Sequence, residues 1–168
     1  MPAATKEGPS TTRRRARRLL RLLSIYPPYL GAGVRVTEVA DDLSRVKVQM
    51  KLRWWNRNYV GTHFGGSLYS MCDPFFMLIL LEKLGREFIV WDKAATIRFR
   101  RPGRGTVFAS FEISPEAVEE VRREAQAQGV VEPTFTVQVH DEDGRLVAEV
   151  DKLLYVRRKG DLPAGKGG

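Results

Sequence analysis

The chain of 168 residues has one cysteine, two histidines and few long apolar runs. The single Cys72 excludes an internal disulfide framework and fits a reducing compartment. So few histidines and cysteines offer no cluster with ligand spacing, so no metal is expected. The longest uninterrupted apolar run is PFFMLILL at 74–81, far short of the roughly 20 residues that a membrane-spanning helix needs. Acid is scarce at the start, where residues 1–21 hold Lys6 and six arginines against Glu7 alone. The leucines among those arginines are interrupted by Arg21 and stop at Pro27 and Pro28, which leaves no apolar core for a secretory signal. An Arg-rich organellar transit segment is the remaining targeting alternative. The expectation is a soluble, cytoplasmic protein.

What is present is ordinary for one globular domain: 43% hydrophobic and 29% charged residues, at a length that buries a real core. The net charge of +8 points to anionic partners such as nucleic acid, a membrane surface or a phosphorylated cofactor. Most of that excess sits on the N-terminal segment, and the rest of the chain is close to neutral.

Residues 1–12 are polar and rich in Pro, Gly, Ser and Thr, and are expected to be disordered. Residues 13–26 read as a basic helix with Leu19, Leu22, Leu23 and Tyr26 on one face, broken by Pro27 and Pro28. Val34 and Val36, then Val46, Val48, Met50 and Leu52, alternate with polar residues around the turn DDLS at 41–44, a hairpin with one wet face. Residues 64–84 are apolar on most sides and stop at Gly85, which predicts a buried helix. Further alternation predicts strands around Ile97 and Phe99, Val107–Ile113, Phe135–Val139 and 145–157. SPEAVEEVRREAQAQG between two of them carries Ser114 as N-cap and Pro115 in the first turn, an exposed helix. One buried helix and about six half-apolar strands imply an α+β domain, with an antiparallel sheet curled around the helix. The boundaries follow: 1–29 as start and basic helix, 30–158 as the domain, 159–168 as a flexible tail.

One stretch carries more than periodicity. NRNYVGTHFGGSLYSMCDP, at 56–74, places Asn58, Gly61, Gly65, Gly66 and Asp73 before and within the helix. Two glycines opening a helix offer N–H groups without intrahelical partners, where negative charge is favoured. A carboxylate nearby can activate water or attack a carbonyl. Asp73 followed by Pro74 is equally the signature of a helix start, with Asp73 as N-cap. If the helix instead begins near Gly65, Pro74 kinks its interior and frees the Ser70 carbonyl. Arg98, Arg100, Arg101 and Arg104, with Lys93, form a basic group that reads either as a solvated face or as a clamp for phosphates.

This spacing resembles that of the PaaI-like acyl-CoA thioesterases of the hotdog fold, whose pattern is Asn-x-x-Gly-x-x-His-Gly-Gly, six residues, then Asp. Together with VWDKAATIRFRRPGRG it looks closer still to an uncharacterised thioesterase-like branch of that superfamily. The resemblance covers about 30–157 and implies a curved antiparallel sheet wrapped around one long helix. It implies Asp73 as base or nucleophile, the Gly65 amide as oxyanion donor and Asn58 positioning water or thioester. Gly61, His63, Phe64, Gly66, Arg98, Arg100, Arg101 and Arg104 would then contact the substrate. It also implies a homodimer or homotetramer with the site between subunits, an acyl-CoA or acyl-carrier-protein thioester as substrate, and no cofactor beyond the coenzyme A of that substrate. The pattern departs at Phe64, which stands where the family has histidine. His63 comes one place early, turned about 100° around a helix axis. The alternative function is an acyl-thioester or lipid binder without turnover. Nucleic acid is not expected, and the basic N-terminal helix leaves contact with an anionic membrane surface as a further alternative.

Overall fold

The computed structural model describes residues 11–160. The disordered start foreseen for 1–12 lies outside these residues except for its last two, and the tail foreseen at 159–168 lies outside them except for its first two. The basic segment forms α1 (Thr11–Leu22) and a 3-10 turn at Leu23–Ile25. The α-helix stops at Leu22, short of the expected Tyr26, and Pro27 and Pro28 open a new one, α2 (Pro27–Ala32). Proline suits a first helical turn, where its missing N–H costs nothing. Gly33 closes α2 at φ 79°, a left-handed conformation that favours glycine.

The first hairpin is β1 (Val34–Val39) and β2 (Arg45–Lys51). The buried helix is a correction to the sequence reading, because it comes as two pieces, α3 (Gly65–Ser70) and α4 (Phe75–Leu84). Pro74 has no N–H to give the Ser70 carbonyl. That carbonyl accepts instead from the Asp73 amide at 3.2 Å, and the chain breaks at 71–74 rather than bending. Four strands complete most of the sheet: β3 (Phe88–Phe99), β4 (Thr106–Glu112), β6 (Thr134–Asp141) and β7 (Leu146–Arg158). β3 starts well before the alternation at Ile97 suggests. A short β5 (Val130–Val131) makes the count seven. Before it, α5 (Pro115–Gln128) is capped by Ser114, whose hydroxyl accepts from the Ala117 amide at 3.2 Å.

The sheet runs β1-β2-β4-β6-β7-β3, with every pair antiparallel and β5 alongside β7. Its inner face buries Val46, Val48, Phe111, Val139 and Val150 against Phe75, Phe76, Ile79 and Leu80 of α4. Phe75 and Phe111 rings pack at 4.8 Å between centroids, and Phe76 meets Phe111 at 5.2 Å. Arg122 of α5 donates to the carbonyls of Leu84 and Lys83 at 3.1 and 2.9 Å, so a cation closes the negative end of α4. Two features of this frame bear on function: the break between α3 and α4, and β3, a 12-residue edge strand that among the described residues pairs only with β7.

Candidate active site

A cleft of about 540 Å³ opens at the start of α3, between the loop 58–65 and the turn after β3. Asn58, His63, Gly65, Arg100, Arg101 and Arg104 line it, with Val60, Leu68 and Phe99 as its apolar side. Asn58 shapes its wall. The Asn58 Nδ2 donates to Thr62 Oγ1 at 2.9 Å, and its Oδ1 accepts from the Thr62 amide at 3.0 Å. The left-handed Gly61 turns the chain between them at φ 78°.

His63 is buried and held from two sides. Its amide donates to the Gly103 carbonyl at 3.0 Å, and its ring Nε2 meets the Gly105 carbonyl at 3.1 Å. A carbonyl only accepts, so Nε2 carries the proton. Nδ1 is left without a partner among the described residues. Burial lowers the His63 pKa, the bond to Gly105 opposing it. This is a neutral, structural histidine in the cleft wall.

Phe64 occupies the N-cap position of α3 without a side-chain cap. Its ring lies against Gly66, where an added Cβ would come within 2.5 Å of it. A Cβ on Gly65 would likewise come within 2.9 Å of the Phe99 ring. Two phenyl rings, 57% and 56% exposed, thus rest on the two glycines, which only the absence of side chains permits.

The arginines divide. Arg98 is paired with Asp151 at 2.6 Å and with Glu149 at 3.6 Å, and Arg100 with Glu149 at 3.3 Å. The Arg98 pairs join β3 to β7 on the wet face, and Arg100 follows directly after β3. Arg101 and Arg104 have no carboxylate partner among the described residues and stand in the cleft wall.

Asp73 lies elsewhere, in the break between α3 and α4, and does not line this cleft in the same chain. It is not the helix cap, since Pro74 holds that position and no side chain caps α4. Its Oδ1 instead accepts from the Lys152 ammonium at 2.6 Å. The same ammonium donates to Tyr69 Oη at 3.2 Å and lies 3.2 Å from Asp92 Oδ1, the latter an ion pair without hydrogen-bond geometry. The Tyr29 hydroxyl donates to the Asp73 carbonyl. The Lys152 side chain is 1% exposed and that of Asp73 42%, so the carboxylate is gripped from behind and open in front.

Burial works against the Lys152 charge, yet the bonds and charges of Asp73 and then Asp92 outweigh it and raise its pKa. Burial first, and then the neighbouring Asp73, push Asp92 up to about 6. Burial and the neighbouring Asp73 push the Tyr29 phenol up, and burial pushes the Cys72 thiol to about 12, which leaves it inert in the core. Among the described residues no group of three or more His, Cys, Asp or Glu gathers as for a metal.

The sequence reading missed Lys152 and Asp92, though both leave a signal. Val150, Leu154 and Val156 face inward by alternation, and Lys152 shares their phase. A charge on the dry face of a strand needs a partner. Phe88, Val90 and Asp92 alternate likewise, and a bulge between Asp92 and Ala94 resets the phase for the rest of β3. Asn56 was also missed. It is buried, and its side chain accepts from the Arg53 amide at 2.7 Å and donates to the carbonyls of Ala32 and Lys51 at 2.8 and 3.0 Å.

Comparison with solved structures gives the fold a name. A Pseudomonas aeruginosa protein described as a probable thioesterase superposes with TM-score 0.76 at 25% identity, over 84% of this chain and 95% of its own. The thioesterase HI1161 of Haemophilus influenzae aligns at TM-score 0.61 and 13% identity, covering 83% and 88% of the two chains. The PaaI protein of the Escherichia coli phenylacetic acid degradation operon aligns at TM-score 0.60 and 16% identity, covering 91% and 97%. The present chain shares the hotdog fold of these neighbours. No match was found among the curated proteins. The model of the domain of unknown function DUF4442 matches residues 15–156, most of the chain, and this protein therefore belongs to that family.

Proposed function

We propose that the protein hydrolyses an acyl thioester carried on coenzyme A or an acyl-carrier protein. The observation that carries this reading is the composition of the cleft. An apolar side of Val60, Leu68 and Phe99 faces the uncommitted cations Arg101 and Arg104 across the glycine-opened start of α3. An acyl chain joined to a phosphorylated carrier has that same division into apolar and anionic ends. The likeness to thioesterases supports the reaction class.

Asp73 takes a proton from water, and the hydroxide adds to the thioester carbonyl carbon. The Gly65 amide receives the oxyanion. Collapse breaks the carbon–sulfur bond, and the leaving thiolate recovers the proton from Asp73, giving a free acid and a free thiol. Asn58 holds Thr62 and thereby the wall of the cleft. Because Asp73 does not line that cleft in its own chain, the reading requires a second copy, whose Asp73 faces the α3 start of the first. The exposed edge of β3, with Trp91 on it, is the surface on which such a pair can form.

A second reading, binding without turnover, is favoured by the phenyl rings of Phe64 and Phe99 resting on the glycines. One experiment separates the two. A panel of acyl-CoA thioesters is incubated with the protein while thiol release and ligand binding are measured in parallel. Thiol release above the uncatalysed rate supports hydrolysis; tight binding with no release supports the binder and ends the hydrolase reading.

A further inference from the structure

Lys152 is a charged side chain that the sheet turns fully into the core, only 1% exposed. An unpaired ammonium there would cost several kcal/mol, so its surroundings have to answer it. They do so from four elements. Asp73 comes from the α3–α4 break, Asp92 from β3, Tyr69 from α3, and Tyr29 of α2 holds the Asp73 carbonyl. Cys72 adjoins as a buried thiol, and β6 places only the apolar Phe135 opposite Lys152. Two carboxylates thus share one ammonium, and one of the two, Asp73, is open to the outside.

We propose that Lys152 and Asp92 are positioning residues for Asp73: the ammonium clamps its inner oxygen, and Asp92 anchors the ammonium from the sheet. This rests on the reading of Asp73 as the base of a thioester hydrolase. The arrangement has a consequence for pH. Asp92 is held up at about 6, by burial first and then by the neighbouring Asp73. Above that value Asp92 is ionised and anchors the ammonium that holds Asp73. Below it Asp92 is neutral, the anchor on the sheet side is lost, and the ammonium no longer fixes Asp73. The acid limb of kcat/KM therefore coincides with the Asp92 step, and the two partners change it differently. Removing the cation raises the step, by about 1–3 units for a lost ion pair. Removing Asp92 abolishes the step, and the acid limb with it.

The test uses the full chain, ¹³C-labelled at aspartate carboxyl carbons, with NMR titration beside the pH profile of kcat/KM. Asp92→Asn is expected to lose the step near pH 6 together with the acid limb that follows it. Lys152→Met is expected to move the step up and to lower kcat by about tenfold to a hundredfold with KM little changed, as for a misplaced reacting group. Lys152→Arg, which keeps the charge, covers the case in which Lys152→Met does not fold, and should leave the step close to that of the parent. A purely structural lysine would change melting temperature and leave both the step and the limb in place, which overturns the proposal. The NMR arm does not depend on turnover. If no thioester is hydrolysed but the step moves as stated, the clamp stands and the hydrolase reading falls. If the acid limb ignores a step that does move, the positioning role falls.

Discussion

The ammonium of Lys152 and the carboxylate of Asp73 meet at 2.6 Å across 79 residues of chain. The contact joins the last strand of the sheet to the break in the central helix and takes Asp73 out of any capping role. Asp73→Asn therefore removes a base without uncapping a helix. The amide oxygen still accepts from Lys152, and Asp92 still balances its charge, so the variant should fold. Its kcat should fall a hundredfold or more while coenzyme A binding persists. Parallel measurement of thiol release and binding checks this, and parent-like hydrolysis would remove Asp73 from the chemistry.

The neutral state of His63 makes stability depend on acid. Its folded pKa lies below the ordinary histidine value, so its contribution is present above about 6.5 and is lost as pH falls through the folded value. His63→Gln keeps a donor for the Gly105 carbonyl and does not titrate. Its melting temperature should fall less than that of the parent between pH 7 and 5. Its kcat should stay within about tenfold of the parent, less than the loss of an acid–base group produces.

Asp92 acts with the opposite sign. Its folded pKa is raised to about 6, so the folded state holds a proton there that the unfolded chain has released. Stability from this group is full below about 4 and declines as pH rises toward 6. In Asp92→Asn the difference in melting temperature from the parent should grow in favour of the variant across that interval. A difference that stays constant with pH would show that Asp92 is not held protonated.

Arg101 and Arg104 are free to meet phosphates, whereas Arg98 already answers Asp151 and Glu149. The double variant Arg101→Ala/Arg104→Ala should raise KM for an acyl-CoA at least about tenfold, the loss of charge-assisted bonds worth 1.5–3 kcal/mol each. Arg98→Ala should change KM much less and show its effect in thermal stability. Equal effects on KM would mean that the phosphates lie on the face of the sheet rather than in the cleft.

Light scattering at micromolar concentration should find at least two copies associated, since Asp73 is not among the residues that line the cleft of its own chain. A lone monomer that still hydrolyses thioesters would refute the two-copy site.

Much of this was legible along the chain. Alternation at Val46–Met50 and Val107–Ile113, and the cap Ser114 with Pro115, are local signals, and periodicity alone determines which side such strands and helices bury. The glycine pair, Asn58 and Asp73 were legible as a motif because their spacing survives in linear order. What a strand's inward face meets is not local. Alternation puts Lys152 and Asp92 on inward faces without saying what they meet, because 60 residues separate them and the contact forms through pairing of β3 with β7. The break at Pro74 was open for the same reason. Either a cap or a kink satisfies the local backbone, and the buried ammonium waiting on β7 decided that the Asp73 side chain would turn toward it.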